Sequence, residues 1–330
     1  MQVVSILSNS SKVIIGIFIF VLFTIGLCSI IIILTYMGAV KYTVFNKITC
    51  DTKICRNLPS VYPLPSELTI SYSQEAAQFT LDLVNRVQHN IEKDSVEGCT
   101  KLTEIYNYMD RSVSSCVIWV SNVPQQKSMF STFENIIWIA IRGTDNSSEW
   151  FNNLKISQVS YEHGINKYSN LPTFMKDNKE IKVHSGFLNL YDQLYPNIIQ
   201  TLLHYEKNKF QICVAGHSLG GAVANIIGRE LVHLGFSSVN VYTFGCPRVG
   251  NFAFTESFNE VNNLTVYRIV NTEDVSTEVP MSVSPNIFNF QDPNFYVHCG
   301  TERTFTENWK SLANNHSIMI YTEGLKRILI

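Results

Sequence analysis

Ile212-Cys-Val-Ala-Gly-His-Ser-Leu-Gly-Gly-Ala-Val-Ala224 is the stretch whose reading decides the fold. The apolar run Phe210 to Ala215 reads as a buried strand, and the run Ala222 to Leu234 as a helix that follows at once. Between them Gly216-His217-Ser218-Leu219-Gly220 fits Gly-x-Ser-x-Gly. A strand, a tight turn and a helix form the setting in which that pentapeptide becomes a nucleophile elbow. Gly216 and Gly220 then let neighbouring backbone pass where a Cβ would obstruct it. Ser218 is held at the tip, with the Leu219 N–H beside it at the helix start. A glycine-rich turn carrying an ordinary serine is the competing reading, and the flanking strand and helix disfavour it.

Working outward, strands alternate with helices. Ser73 to Ile91 places Ala76, Ala77, Phe79, Leu83, Val84 and Val87 at mostly helical spacing, with Ser73 as N-cap. Val117 to Val123 and Ile136 to Ile141 read as strands, and Arg142-Gly-Thr-Asp145 follows the second. Leu188 to Tyr205 reads as a helix interrupted by Pro196. Val239 to Phe244 and Leu264 to Val270 read as strands flanking a helix at Phe252 to Val261. Tyr296 to Cys299 is expected as a further strand and Ile318 to Ile328 as a last helix. Such alternation implies an α/β class with a mostly parallel sheet and helices on both faces.

Ahead of this body the chain divides into a polar lead (1–12), an apolar segment (13–40) and a proline-bearing linker or stalk (41–68), leaving residues 69–330 as the folded domain. Val13 to Tyr36 is an uncharged run of 24 residues, long enough to cross a hydrocarbon core as an N-terminal transmembrane helix. Its length favours an uncleaved anchor over a signal peptide. Lys12 on one side and Lys41, Lys47 and Lys53 on the other give the positive-inside tendency only a slight lean toward a cytoplasmic body. A net charge of −2 with 16% charged residues gives no sign of a nucleic-acid partner. Of eight cysteines, Cys28 lies in the apolar run. Cys50 with Cys55, or Cys99 with Cys116, are the pairs that could bridge in a lumenal body. No cysteine or histidine spacing supports a metal site. Asn-x-Ser/Thr occurs at Asn9, Asn146, Asn263 and Asn315, and sugar at Asn146 or Asn315 would crowd the residues assigned to chemistry.

A serine hydroxyl needs a base, and the base needs an orienting group. In an elbow fold the chain order is Ser, then Asp or Glu, then His. Histidines after Ser218 are His233, His298 and His316. His233 lies on the helix leaving the elbow, about four turns on. His298 falls inside an expected strand, where a core histidine is the ordinary case. His316 lies in the polar loop Asn314-Asn-His-Ser-Ile318 and is preferred. Among the carboxylates, Asp274 follows a strand end, where ligand-facing loops of open α/β sheets lie. Glu273, Glu278 and Asp292 remain alternatives. An oxyanion needs two N–H donors, and Leu219 with the Gly143-Thr144 turn supplies the expected positions.

Gly-His-Ser-Leu-Gly-Gly-Ala (216–222) with Phe-Gly-Cys-Pro-Arg-Val-Gly-Asn (244–251) resembles the class 3, or fungal-type, triacylglycerol lipases. Ile-Ala-Ile-Arg-Gly-Thr (139–144) and Val-His-Ser-Gly-Phe (183–187) are similar to two further blocks of that family, in the same order. The resemblance covers about residues 70–330. It implies an α/β-hydrolase fold, ester hydrolysis and no cofactor. By position it makes Ser218 the nucleophile, Asp274 the orienting acid, His316 the base, and Thr144 and Leu219 the oxyanion donors. It makes His184 structural. It puts a lid at 148–154, with Trp150 and Phe151 turned to the pocket when shut and to lipid when open. Two departures stand out. Ser276-Thr277 intervenes before Pro280 where the family often has Val-Pro, and Tyr321 lies five residues past the histidine where the family's tyrosine lies about three past.

The expectation is a membrane-anchored serine hydrolase acting on lipid esters, of the lipase or phospholipase type. Its rivals are an esterase or acyltransferase on another acyl ester, and a membrane-tethered binding protein on an inactive hydrolase scaffold.

Overall fold

The computed structural model describes residues 72–94, 96–107, 110–121, 135–144, 157–161, 175–176, 179–259, 261–284 and 294–328. The chain divides after Glu67 into two units, and the described residues fall in the second. The expected membrane anchor at 13–40, the linker, and the lid residues Trp150 and Phe151 lie outside the described residues. Among the described residues, no helix is long and apolar enough to cross a membrane.

Among the described residues the central sheet has seven strands: β1 (Cys99–Tyr106), β2 (Ser114–Ser121), β3 (Asn135–Ile141), β4 (Phe210–His217), β5 (Val239–Phe244), β6 (Leu264–Asn271) and β7 (Thr301–Phe305). They lie side by side in chain order. β1, β2 and β3 run antiparallel, whereas β3 through β7 pair in parallel. Parallel neighbours require a crossover. Helices α2 (Ser185–Leu202), α3 (Leu219–His233) and α4 (Phe252–Asn259) supply three of these, between β3 and β4, β4 and β5, and β5 and β6. Helix α1 (Gln74–Gln88) precedes the sheet and α5 (Ile318–Leu325) ends the described fold.

Successive strand residues face opposite sides, and the apolar runs are long enough to fill both. Ile137, Ile139 and Ile141 of β3, with Ile212 and Val214 of β4, join one core layer with Tyr191 and Ile198 of α2 and Val223 and Ile227 of α3. The intervening Ile136, Trp138, Ala140, Cys213 and Ala215 join the other layer, with Leu81 and Val84 of α1 and Ile320 and Leu325 of α5. Burial on both faces is why these strands read as continuous apolar runs rather than alternating ones. Helix α3 is buried from Gly220 to Val232, charged residues included. Arg229 and Glu230 face each other at 3.5 Å, Arg229 Nε donates to Ser257 Oγ at 2.7 Å, and the Tyr161 hydroxyl donates to Glu230. These partners offset the large cost of placing two charges away from water.

The Ser73 cap forms as expected, its Oγ accepting from the Ala76 N–H at 3.2 Å. Three expectations are corrected. Tyr296 to Cys299 is not a strand: Val297 makes a single bridge to Gly250, and the sheet's last strand is Thr301–Phe305. Pro196 does not interrupt α2, which runs on to Leu202. Pro196 is exposed and Asp192 half-buried, so the carbonyl deprived of its helical donor lies on the wet side. Cys99 and Cys116 are both free thiols. They sit near opposite ends of the β1–β2 ladder, Cys99 opposite Ser121 and Cys116 opposite Ile105.

Candidate active site

β4 runs two residues further than the apolar pattern marks, to His217, and α3 starts at Leu219. Ser218 alone makes the turn, with φ 57° and ψ −126°. That conformation is strained for a residue with a Cβ and persists only where the surroundings impose it. They do so here. The Ser218 N–H donates to the Phe244 carbonyl at 2.9 Å, and its carbonyl accepts from Gly221 N at 3.0 Å. A Cβ on Gly216 would come within 2.2 Å of the Gly220 carbonyl group, and one on Gly220 within 2.4 Å of the Ile141 carbonyl oxygen. Both glycines of the pentapeptide are therefore required by close backbone approach. The Ser218 side chain makes no capping bond to the helix it precedes.

The Phe244 carbonyl that holds Ser218 leads into Gly245, at φ +60°. A Cβ there would lie 2.9 Å from Asp274 Oδ2, 3.0 Å from His316 Cε1 and 3.0 Å from the Tyr321 hydroxyl. The carboxyl end of β5 is thus the point on which the elbow, the acid and the histidine converge. Asp274 follows β6 and caps the short helical turn Val275–Glu278, its Oδ1 accepting from Ser276 N at 2.9 Å. Its Oδ2 accepts from His316 Nδ1 at 2.7 Å and from the Tyr321 hydroxyl at 2.6 Å. Burial would push this carboxyl up. The His316 ring, the Tyr321 hydroxyl and the Ser276 amide outweigh that and hold it below the usual carboxylate range. Burial and the Asp274 charge together push the Tyr321 phenol well up, so it remains a donor.

His316 ends the short helix Leu312–Asn315. Its carbonyl accepts from His217 Nε2 at 2.7 Å, and the two rings pack together, tilted by 33°, with centroids 4.5 Å apart. Burial first, then the neighbouring His316, bring the His217 imidazole down to about 3, so His217 is a neutral donor. Ser218, Asp274 and His316 are each less than 5% exposed. Asn315 is also committed, accepting from Trp309 N at 2.7 Å and donating to the Glu273 carbonyl at 3.2 Å, so its sequon is used inside the fold.

His298, His184 and His233 lie apart from this arrangement. His298 Nε2 donates to the Thr277 carbonyl at 2.8 Å, and burial keeps that ring well below its ordinary range. His184 caps α2, accepting from Gly186 N at 3.1 Å, with its ring packed on Phe187. His233 ends α3, about 22 Å along the helix axis from Ser218 at the usual rise per residue. Glu273 is turned to Asn308, and Glu278 to Arg248. Thr144 follows β3, whose last residue, Ile141, pairs with Gly216 of the elbow. Leu219 is the first residue of α3, where amides have no acceptor inside the helix. Two contacts lay beyond the sequence reading: the Tyr321 bond to Asp274, and the side chain of Gln88, which accepts from Gly143 N at 2.8 Å.

Residues 138–284 match the family model described as Lipase (class 3). The chain is 32% identical over 181 residues to the "Lipase" of Rhizomucor miehei, covering 53% of this chain and 43% of that protein. It is 29% identical over 162 residues to "Phospholipase A1-II 4" of Oryza sativa subsp. japonica, covering 43% of this chain and 39% of that one. The chain thus spans less than half the length of these curated relatives. Among solved structures, the native Rhizomucor miehei lipase propeptide complex superposes with a TM-score of 0.52 at 22% identity, over 77% of this chain and 80% of that one. At that identity the likeness speaks for the fold. Residues 138–284 are thus similar to the class 3 lipase family, and the domain shares the α/β-hydrolase fold of the solved fungal lipases.

Proposed function

We propose that the domain is a serine hydrolase that cleaves carboxylic esters of lipids, acylglycerols or phospholipids, through Ser218, His316 and Asp274. One observation carries the reading. The Asp274 carboxylate is bound to His316 Nδ1 at 2.7 Å, beside a serine strained at the tip of an elbow. The names of the relatives, lipase and phospholipase A1, support the substrate class.

In this reading the Ser218 Oγ–H bond breaks as Oγ bonds to the ester carbonyl carbon, and the proton passes to His316 Nε2. Asp274 holds the ring in the tautomer with Nδ1–H and stabilises the imidazolium. The carbonyl oxygen becomes an oxyanion held by the Thr144 and Leu219 N–H groups, each such donor contributing about 3 kcal/mol to the barrier reduction. Collapse breaks the bond to the alcohol, which takes the proton from His316. Water, deprotonated by His316, then releases the fatty acid from Ser218. The apolar run 13–36 would anchor the enzyme in a membrane and keep the site at high local lipid concentration.

The test uses the full chain, with turnover of short- and long-chain acyl esters and phospholipids measured for wild type and Ser218→Ala. The expected outcome is a loss of at least about 10⁴-fold in kcat, and labelling of wild type alone by a fluorophosphonate. Equal turnover by the variant, or a fluorophosphonate that leaves Ser218 unmodified, rejects the mechanism.

A further inference from the structure

The turn Arg142-Gly143-Thr144 is pinned from three directions. The Arg142 N–H donates to the Ser115 carbonyl at 2.9 Å. The Arg142 guanidinium donates to the Val87 carbonyl at 3.2 Å, at the carboxyl end of α1. The Gly143 N–H donates to Gln88 Oε1 at 2.8 Å, in a buried bond between residues 55 apart in sequence. Gln88 is the last residue of α1 and is only 6% exposed. On its other side Gly143 abuts the elbow: a Cβ there would lie 2.7 Å from the His217 carbonyl oxygen and 3.4 Å from Ser218 Cβ.

Glycine at 143 is thus imposed by the elbow, and glycine brings the loosest backbone of any residue. Peptide units are rigid, so only φ and ψ of Gly143 separate its own amide from that of Thr144. Fixing the Gly143 amide anchors one end of that two-torsion link, and the elbow packed against the Gly143 Cα limits how far the torsions can swing the Thr144 N–H. We propose that Gln88 is a positioning residue for the oxyanion site: by capturing the Gly143 N–H it aims the Thr144 N–H at the developing oxyanion. Gln88 itself touches no substrate. The inference rests on the reading of Thr144 and Leu219 as oxyanion donors.

The experiment compares full-length wild type, Gln88→Met and Gln88→Glu. It reads kcat and KM on a water-soluble acyl ester, inhibition by a trifluoromethyl ketone whose serine adduct carries an oxyanion, and thermal melting. Gln88→Met keeps the side chain's length and removes the acceptor. It is expected to lower kcat by about tenfold or more, as a displaced donor should, with KM unchanged and the ketone weakened by the same factor. Gln88→Glu restores an acceptor oxygen and is expected to regain most of both losses. A merely structural Gln88 would lower the melting temperature and leave kcat and ketone affinity alone below it, and that result overturns the inference. Should Gln88→Met not fold, Gln88→Asn, with the same group on a shorter arm, takes its place under the same two outcomes. A wild type that turns over no ester overturns the reading of the site and this inference together. An active wild type beside an indifferent Gln88→Met overturns the inference alone.

Discussion

Asp274 Oδ2 serves two donors at once, His316 Nδ1 and the Tyr321 hydroxyl. The hydroxyl is a neutral partner. Its role is to keep the carboxylate charged in a buried place. Tyr321→Phe removes one charge-assisted bond, worth about 2 kcal/mol, and lets burial push the Asp274 carboxyl back up. The expected outcome is a lower urea midpoint and a kcat that begins to fall at higher pH than in wild type, read from paired denaturation curves and pH–rate profiles. Identical acid limbs would assign Tyr321 to packing alone. The sequence made the Ser218 turn and the pairing of Asp274 with His316 legible because elbow spacing and chain order are local or ordinal signals. It could not show the bond from Tyr321, which depends on the pitch of α5 after a loop. Gln88 did leave a trace: with Ala77, Leu81 and Val84 it continues one helical stripe, so it is a polar residue where the pattern asks for an apolar one. Polar residues in that position need a buried partner.

At the scale of elements, the inner strands were readable and the outer ones were not. β3, β4, β5 and β6 are covered on both faces and betray themselves as apolar runs. β1 (Cys-Thr-Lys-Leu-Thr-Glu-Ile-Tyr) and β7 (Thr-Glu-Arg-Thr-Phe) are the sheet's edges. Each has a single buried residue, Ile105 or Phe305, and their polar composition hides them from a search for apolar runs. Tyr296 to Cys299 misled in the opposite way, since apolar residues also line buried irregular segments. The elbow is the element where sequence and backbone are bound most tightly. Gly216→Ala would drive a Cβ to 2.2 Å from the Gly220 backbone, where no flexible side chain can yield. The expected cost is about 3 kcal/mol or more, measured by chemical denaturation, together with loss of fluorophosphonate labelling. A stable, fully labelled Gly216→Ala protein would contradict the close approach described for this turn.

For the whole molecule, acid is the condition to which this site makes the fold sensitive. His217 is neutral when folded, with its imidazole down at about 3, whereas in an unfolded chain it titrates near its ordinary 6.5. Between those values the unfolded state binds a proton that the native state refuses, so stability is full above 6.5 and is lost as pH falls toward 3. The limiting slope is about 1.4 kcal/mol per pH unit. Asp274, held low in the fold, adds a loss in the same direction below its ordinary carboxylate range. The expected result is a denaturation midpoint distinctly lower at pH 5 than at pH 7, and a smaller gap in His217→Gln, whose amide can still donate to the His316 carbonyl. An equal gap in both proteins would place the acid sensitivity elsewhere. The contorted backbone at Ser218 carries one more implication. Nothing in a relaxed polypeptide maintains φ 57° and ψ −126° at a serine, so a reagent found to tag this hydroxyl would take a census: each adduct would count one correctly assembled chain, and the untagged remainder would gauge how much of a preparation never closed its sheet.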